Sequence, residues 1–401
     1  MLTRRRPFIA LLALLLGLVP LGVQAAQARH RTGGTLPSMG RQPHPSIFGI
    51  DSGTFDSVRG HFGRDFGASR ALGARWDRFT LTAATDSGNF SVIDAEVRNA
   101  RHHHMGVVLS FEGIKQACSV GSLKSDPQRC PPTTSADMHR YQSYVRSVLV
   151  RYRKAVTYYE SWTEINHNTS AMNASQYAAV LKAQYGVVQS VNHRYHTHLK
   201  LLYGSEVGFG IRPGSSWTAV IPFTAEVLGD LQGAKPFDGI ALHAYRLPPV
   251  APSTAVCDYI GSVSVSPGTT TPSCHNAGYR ALTWPEELTA YEQEFQNHGY
   301  GQPPLWITEF GWPAGGNCSS LPTGYCLATG TQAADVSEAY HDMLQLPFVQ
   351  GALWFNLRDY QPSYKSPDPA FFYHYGLLNY NYSQKSAGAQ FKALARANPG
   401  R

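Results

Sequence analysis

The sequence predicts a single (β/α)8 barrel. Three observations carry that expectation: eight short apolar or β-branched runs, helical patterns between most of them, and no low-complexity break over about 350 residues. The runs fall at 46–51, 74–81, 105–111, 156–162, 199–204, 237–242, 305–308 and 351–356. Helical patterns occupy 135–153, 174–194, 286–298 and 331–345, several of them starting after Ser, Thr or Asn caps. Strands alternating with helices build βαβ units and a parallel sheet, and eight such units close into a barrel. A doubly wound open sheet is the alternative, but no Gly-x-Gly-x-x-Gly turn follows a strand to hold a nucleotide.

Ahead of the barrel, Arg4-Arg5-Arg6 precedes an apolar run over 8–23 and the small residues Ala25-Ala26-Gln27-Ala28. This is the pattern of a secretory signal peptide over 1–28, and Arg5-Arg6-Pro7-Phe8-Ile9 also fits a twin-arginine signal. The run is short for a transmembrane anchor, and no later stretch is apolar enough to span a bilayer. The expectation is a secreted or periplasmic protein with no membrane contact once the signal is removed. Residues 29–45 are polar and rich in Gly, Pro, Arg and His, a flexible lead-in to one domain over 46–401.

Losing Arg4, Arg5 and Arg6 with the leader takes the formal charge from +7 to +4. That surplus forms no basic stripe interleaved with aromatics, which argues against a nucleic-acid partner. The six cysteines fall in three close pairs: Cys118/Cys130, Cys257/Cys274 and Cys318/Cys326. An even count in an exported chain favours disulfides, and pairing of neighbours is the simplest of the possible connectivities. Cys-x-x-Cys spacing is absent, so a metal site built on cysteine is disfavoured. His102-His103-His104 does not invite a metal either, because consecutive residues on a helix point in different directions. The pairs lie in loops after the third, sixth and seventh strands, so all would staple the C-terminal face, where barrels carry their sites. The longest connection, 246–303, either walls a groove there or is decoration.

Two glutamates stand near ends of predicted strands beside aromatics: Glu164 in Ser161-Trp162-Thr163-Glu164-Ile165-Asn166 and Glu309 in Trp306-Ile307-Thr308-Glu309-Phe310-Gly311-Trp312. Paired carboxylates across a sugar can split a glycosidic bond, one as acid and the other as nucleophile or base. They are 145 residues apart in sequence, so a fold that gathers strand ends is needed to unite them. Glu112, Glu160 and Glu206 also lie near strand ends. The alternation phase expects Glu160 to point the same way as Trp162 and to serve as a structural partner. Asp51, ending the first strand, either touches substrate or caps a turn.

The neighbourhoods of Glu164 and Glu309 resemble clan A of the glycoside hydrolases, whose acid/base glutamate is on strand four and whose nucleophile is on strand seven. Gly73-Ala74-Arg75-Trp76-Asp77-Arg78 resembles the clan's second strand, with Arg78 in the place of the arginine that supports the nucleophile. Asp238-Gly239-Ile240-Ala241-Leu242-His243-Ala244-Tyr245 resembles strand six, and Leu353-Trp354-Phe355-Asn356 resembles strand eight, where a tryptophan floors the sugar site. The pattern covers nearly all of the chain after the leader and is most similar to family 39 and its relatives, which include β-xylosidase and α-L-iduronidase.

The resemblance implies a secreted retaining O-glycosidase that cleaves a polysaccharide or oligosaccharide by double displacement, with a carbohydrate substrate as partner; no cofactor or metal is expected, and the sequence leaves the oligomeric state open. Glu309 is the expected nucleophile and Glu164 the expected acid/base. Arg78 would favour the charged form of Glu309, and Tyr245 would orient it; burial against Trp162 and the field of Glu309 would favour the protonated form of Glu164. His243 would bond a sugar hydroxyl or Glu164, and Trp354 would stack on the ring. One position departs from the clan: Thr163 stands where an asparagine contacts the sugar 2-hydroxyl, and Asn166, beyond the acid/base, is no replacement. That departure keeps open a carbohydrate-binding barrel without catalysis, and a cell-wall transglycosylase would use the same residues.

Overall fold

The computed structural model describes residues 46–52, 62–81, 85, 88–119, 121, 130–167, 172–209, 218–246, 249–261, 274, 278–313, 329–360 and 374–399. The expected signal peptide and lead-in, and the Cys318/Cys326 pair, lie outside the described residues. Six parallel strands come first: β1 (Phe48–Asp51), β2 (Trp76–Thr80), β3 (Gly106–Ser110), β4 (Tyr158–Glu160), β5 (Lys200–Phe209) and β6 (Gly239–Arg246). An antiparallel hairpin follows, β7 (Val256–Tyr259) with β8 (Tyr279–Leu282), and then β9 (Leu305–Phe310) and β10 (Val349–Phe355). Without the hairpin, the strands close in the order β1-β10-β9-β6-β5-β4-β3-β2. Each of the eight predicted runs contains or overlaps one barrel strand.

Helices α1 (Phe62–Leu72), α2 (Ser91–His102), α3 (Ser135–Tyr152), α4 (Ala174–Tyr195), α5 (Val220–Leu231), α6 (Trp284–Asn297), α7 (Thr329–Gln345) and α8 (Ser386–Ala397) alternate with the strands. Their starts follow from side-chain chemistry. Thr134 with Asp137, Asn173 with Gln176 and Thr283 with Glu286 form capping boxes at α3, α4 and α6, each satisfying backbone N–H groups that a helix leaves open. Apolar side chains on the outer face of the strands meet these helices; Phe48 of β1 stacks on Tyr340 of α7 and meets Phe391 of α8 edge-on. No helix among the described residues is long and apolar enough to cross a membrane.

The lumen is plugged at one level by Trp76, Val108, Leu202, Ala241, Trp306 and Leu353, with Tyr158 against them. Two glycines make room for the indoles: a Cβ on Gly106 would fall 2.3 Å from the Trp76 ring, and one on Gly351 would fall 2.2 Å from that of Trp306. Because strand side chains repeat every second residue, Arg78 after Trp76, Glu160 after Tyr158 and His243 after Ala241 share this inward face one layer nearer the C-terminal mouth. Glu309 breaks that period, standing three residues after Trp306. Pairing of β6 with β9 jumps from Leu242–Ile307 to His243–Glu309, a bulge that turns Glu309 inward.

The described part of the long connection after β6 is anchored to the barrel. Buried Arg246 donates to Glu287 at 2.8 Å and to the carbonyls of Ala251, Thr254 and Leu282 at 3.1, 2.5 and 2.7 Å, tying the hairpin and α6 to the barrel. Cys257–Cys274 closes part of this segment with Cα atoms 5.7 Å apart, and Cys118–Cys130 closes the loop after β3 at 5.4 Å.

Candidate active site

Arg78 organises the mouth of the barrel. Nε donates to Glu160 Oε2 at 2.5 Å, Nη1 donates to Asp51 Oδ2 and to Glu309 Oε1 at 2.7 Å each, and Nη2 donates to the Thr163 hydroxyl at 2.9 Å. The guanidinium is 1% exposed, so it is held among three carboxylates with almost no water to screen it. Sheet register brings these groups together: Asp51 pairs directly with Arg78, and His243 with Glu309.

Glu164 and Glu309 face one another over His243. Nδ1 of His243 is hydrogen-bonded to Glu164 Oε1 at 3.3 Å, and its Nε2 stands 3.3 Å from Glu309 Oε1. One ligand atom from each of the three residues lies within 4.8 Å of the others. The Tyr245 hydroxyl donates to Glu309 Oε2 at 3.1 Å, so the two oxygens of Glu309 are held by different strands. The ionising carboxylates keep an opening to solvent, 21% for Glu164 and 15% for Glu309, whereas His243 has none. Glu164 adopts a left-handed backbone, φ 52°, rare for a side chain of this size and typical of functional positions where packing enforces it. Its N–H donates to the Ser205 hydroxyl at 3.3 Å.

Burial raises Glu309 well above the usual carboxylate range, and the nearby Asp51 charge adds to that; Arg78 opposes both and does not prevail. Arg78 acts in the expected direction, favouring the charged form of Glu309, but burial and Asp51 act against it. One guanidinium charge is divided among Asp51, Glu160 and Glu309, so each receives only part of it. Burial also raises Asp51. His243 is pushed well below its usual value by burial and by Arg78, and is neutral at ordinary pH. Its hydrogen bond to Glu164 therefore involves a neutral imidazole.

The structure brings Arg78, Thr163, Glu164, His243, Tyr245 and Glu309 to one place. Trp162 and Trp354 stand elsewhere, which corrects two expectations. Trp162 is 2% exposed and packs against Tyr141 of α3, in the layer between sheet and helices. Strand β4 ends at Glu160 and the chain bends at Ser161, so the two-residue alternation stops there: Glu160 points to Arg78 and Trp162 points away. Trp354 has no exposed surface; it packs on Phe310 and Trp312, and its indole N–H donates to the Tyr375 carbonyl at 2.8 Å. Its neighbour Leu353 faces the lumen and Phe355 meets Tyr245, so Trp354 lies on the outer face of β10, in the layer between sheet and helices, and offers no face to a sugar.

Thr163 is spent within the protein. Its hydroxyl accepts from Arg78 and is bonded to Ser110 Oγ at 2.8 Å, so it braces β3 and the guanidinium. Asn166 clamps Val207 of β5, accepting from its N–H at 2.8 Å and donating to its carbonyl at 3.1 Å. Sequence reasoning left Asp51 undecided between substrate contact and turn cap; the structure shows it buried and bonded to Arg78. Glu164, His243 and Glu309 also form the grouping among the described residues whose spacing would suit a metal ion, with each imidazole nitrogen facing one of the two carboxylates.

No protein-family profile matches the chain, and no curated protein matches it in sequence. Solved structures match it in fold. A family 39 glycoside hydrolase from the gut symbiont Bacteroides cellulosilyticus WH2 aligns over 87% of this chain with a TM-score of 0.59 and 18% identity. The likeness is one of fold: the closed eight-stranded barrel of this chain is similar to the barrels of solved glycoside hydrolases. A GH5_18 from Bifidobacterium longum subsp. infantis aligns over 88% of this chain and 79% of its own, with a TM-score of 0.60 and 15% identity. A GH5_18 from Streptomyces cattleya in complex with GlcNAc aligns over 89% and 80%, with a TM-score of 0.58 and 15% identity. This chain spans 64% of the Bacteroides family 39 enzyme's length.

Proposed function

We propose that the protein is an exported retaining O-glycosidase acting on a polysaccharide or oligosaccharide. The observation that carries this is the approach of Glu164 and Glu309 to within 4.8 Å over His243. Retaining glycosidases hold their carboxyl groups roughly 5–5.5 Å apart, whereas inverting ones leave about 6.5–9.5 Å for a water molecule. The similar barrels of glycoside hydrolases, one of them holding GlcNAc, support a carbohydrate substrate.

In this reading Glu309, oriented by Tyr245 and Arg78, attacks the anomeric carbon. Glu164 gives its proton to the departing oxygen as the glycosidic bond breaks. The ester removes the negative charge of Glu309. Glu164, now a carboxylate, takes a proton from water as that water attacks the anomeric carbon and frees Glu309. Neutral His243 keeps Glu164 in place through both steps without adding a charge between the carboxylates.

Glu309→Ala and Glu164→Ala are expected to stop turnover while the fold survives. Azide should rescue the Glu309 variant and yield a glycosyl azide of inverted configuration. Full activity of Glu309→Ala on a glycan panel would refute the assignment, and tight sugar binding without hydrolysis by the parent would favour a binding barrel.

A further inference from the structure

Asp51 lies at the end of β1, deep in the site but out of reach of a sugar. It is 1% exposed, against 15% for Glu309, so a ring lying on the two glutamates does not touch it. Its Oδ2 accepts from Arg78 Nη1 at 2.7 Å, and the same nitrogen donates to Glu309 Oε1 at the same distance. Its Oδ1 is buried with no hydrogen-bond partner among the described residues. The charged and titratable groups that face Asp51 are Arg78 from β2, Glu309 from β9, Glu160 from β4 and Tyr245 from β6, while β10 presents Phe355 in register.

We propose that Asp51 is a positioning residue for the nucleophile, sharing Arg78 Nη1 with Glu309 and becoming its sole carboxylate partner when Glu309 is converted to an ester. The proposal rests on reading Glu309 as the nucleophile. Two anions on one nitrogen repel each other, so Asp51 in its charged form makes Glu309 harder to ionise. A buried carboxylate oxygen without a donor adds to the cost of charging Asp51 itself. The two groups therefore titrate as a pair. Once Glu309 carries the sugar its charge is gone, and Asp51 then anchors Arg78, which stays in position for the second step.

Asp51→Asn tests this, since asparagine still accepts from Arg78 but carries no charge. With any aryl glycoside that the parent cleaves, the acid limb of the kcat/KM profile should move to lower pH by roughly one unit. A folded, active variant whose limb does not move overturns the proposal. Should Asp51→Asn not fold, the parent labelled with ¹³C-aspartate is compared by difference infrared before and after Glu309 is trapped as a 2-fluoroglycosyl ester. At a pH below the parent's acid limb, where Asp51 and Glu309 share one proton, an aspartic acid carbonyl band should lose intensity to a carboxylate band, and unchanged aspartate bands overturn the proposal. Failure of the nucleophile reading would show separately, as activity persisting in Glu309→Ala.

Discussion

Arg78 and Glu309 meet at 2.7 Å through Nη1 and Oε1, yet that nitrogen also serves Asp51 and the same guanidinium serves Glu160. The nucleophile candidate is thus held by a cation shared with two buried carboxylates, Asp51 and Glu160, which makes the site dependent on that cation for folding as well as chemistry. Arg78→Met, similar in reach but neutral, should cost about 3–5 kcal/mol at neutral pH by leaving carboxylates buried without a counter-charge. The defect should shrink as the pH falls and those carboxylates take up protons. Urea unfolding of both proteins across pH checks this, and a defect that does not change with pH would contradict it.

Thr163 makes a second prediction. Thr163→Val keeps the shape and removes a hydroxyl bonded to both Arg78 Nη2 and Ser110 Oγ. Stability should drop by about 1–3 kcal/mol, the cost of leaving buried polar partners unsatisfied. The effect on kcat/KM should be similar for donors with and without a 2-hydroxyl, because the threonine hydroxyl is committed to the protein. A loss confined to 2-hydroxy donors would show instead that Thr163 contacts the sugar.

Glu206 offers a test away from the chemistry. It is fully buried on β5, accepts from the Tyr203 and Thr224 hydroxyls at 2.8 and 2.7 Å, and burial pushes it up to about 8. A carboxyl group raised above its unfolded value of about 4.3 contributes stability that is complete below that pH and is lost as the pH climbs toward about 8. The loss is at most about 1.4 kcal/mol per pH unit inside that window. Glu206→Gln removes the titration, so its stability relative to the parent should grow between about pH 5 and about pH 8 and level off above. Parallel stability curves for the two proteins would contradict the buried, neutral Glu206.

The eight strands were legible because each barrel strand is a short apolar run between helical patterns, and Arg78, His243 and Tyr245 were legible from the resemblance of their strands to those of clan A. What escaped was whatever broke the two-residue period of a strand. The bend at Ser161 sends Glu160 and Trp162 to opposite sides, and the bulge before Glu309 turns it inward where simple alternation from Trp306 would not. Facing was a second gap: the resemblance assigned Trp354 to the sugar site, whereas Leu353 faces the lumen and Trp354 points to the helix layer. The hairpin β7–β8 lay inside a segment read as a long connection, because strands of four residues carry little periodic signal. Asp51 needed the barrel to close before its place beside Arg78 was defined.

The central claim is that Glu309 forms a covalent bond to the sugar. Incubation with a panel of activated 2-deoxy-2-fluoro glycosides, followed by intact mass and peptide mapping, tests it most directly. The expected result is one sugar per protein, esterified to Glu309 in the peptide around Trp306-Ile307-Thr308-Glu309-Phe310, and no adduct in Glu309→Gln. An ester on another residue, or hydrolysis of natural substrate with inversion and no trapped adduct, would contradict it.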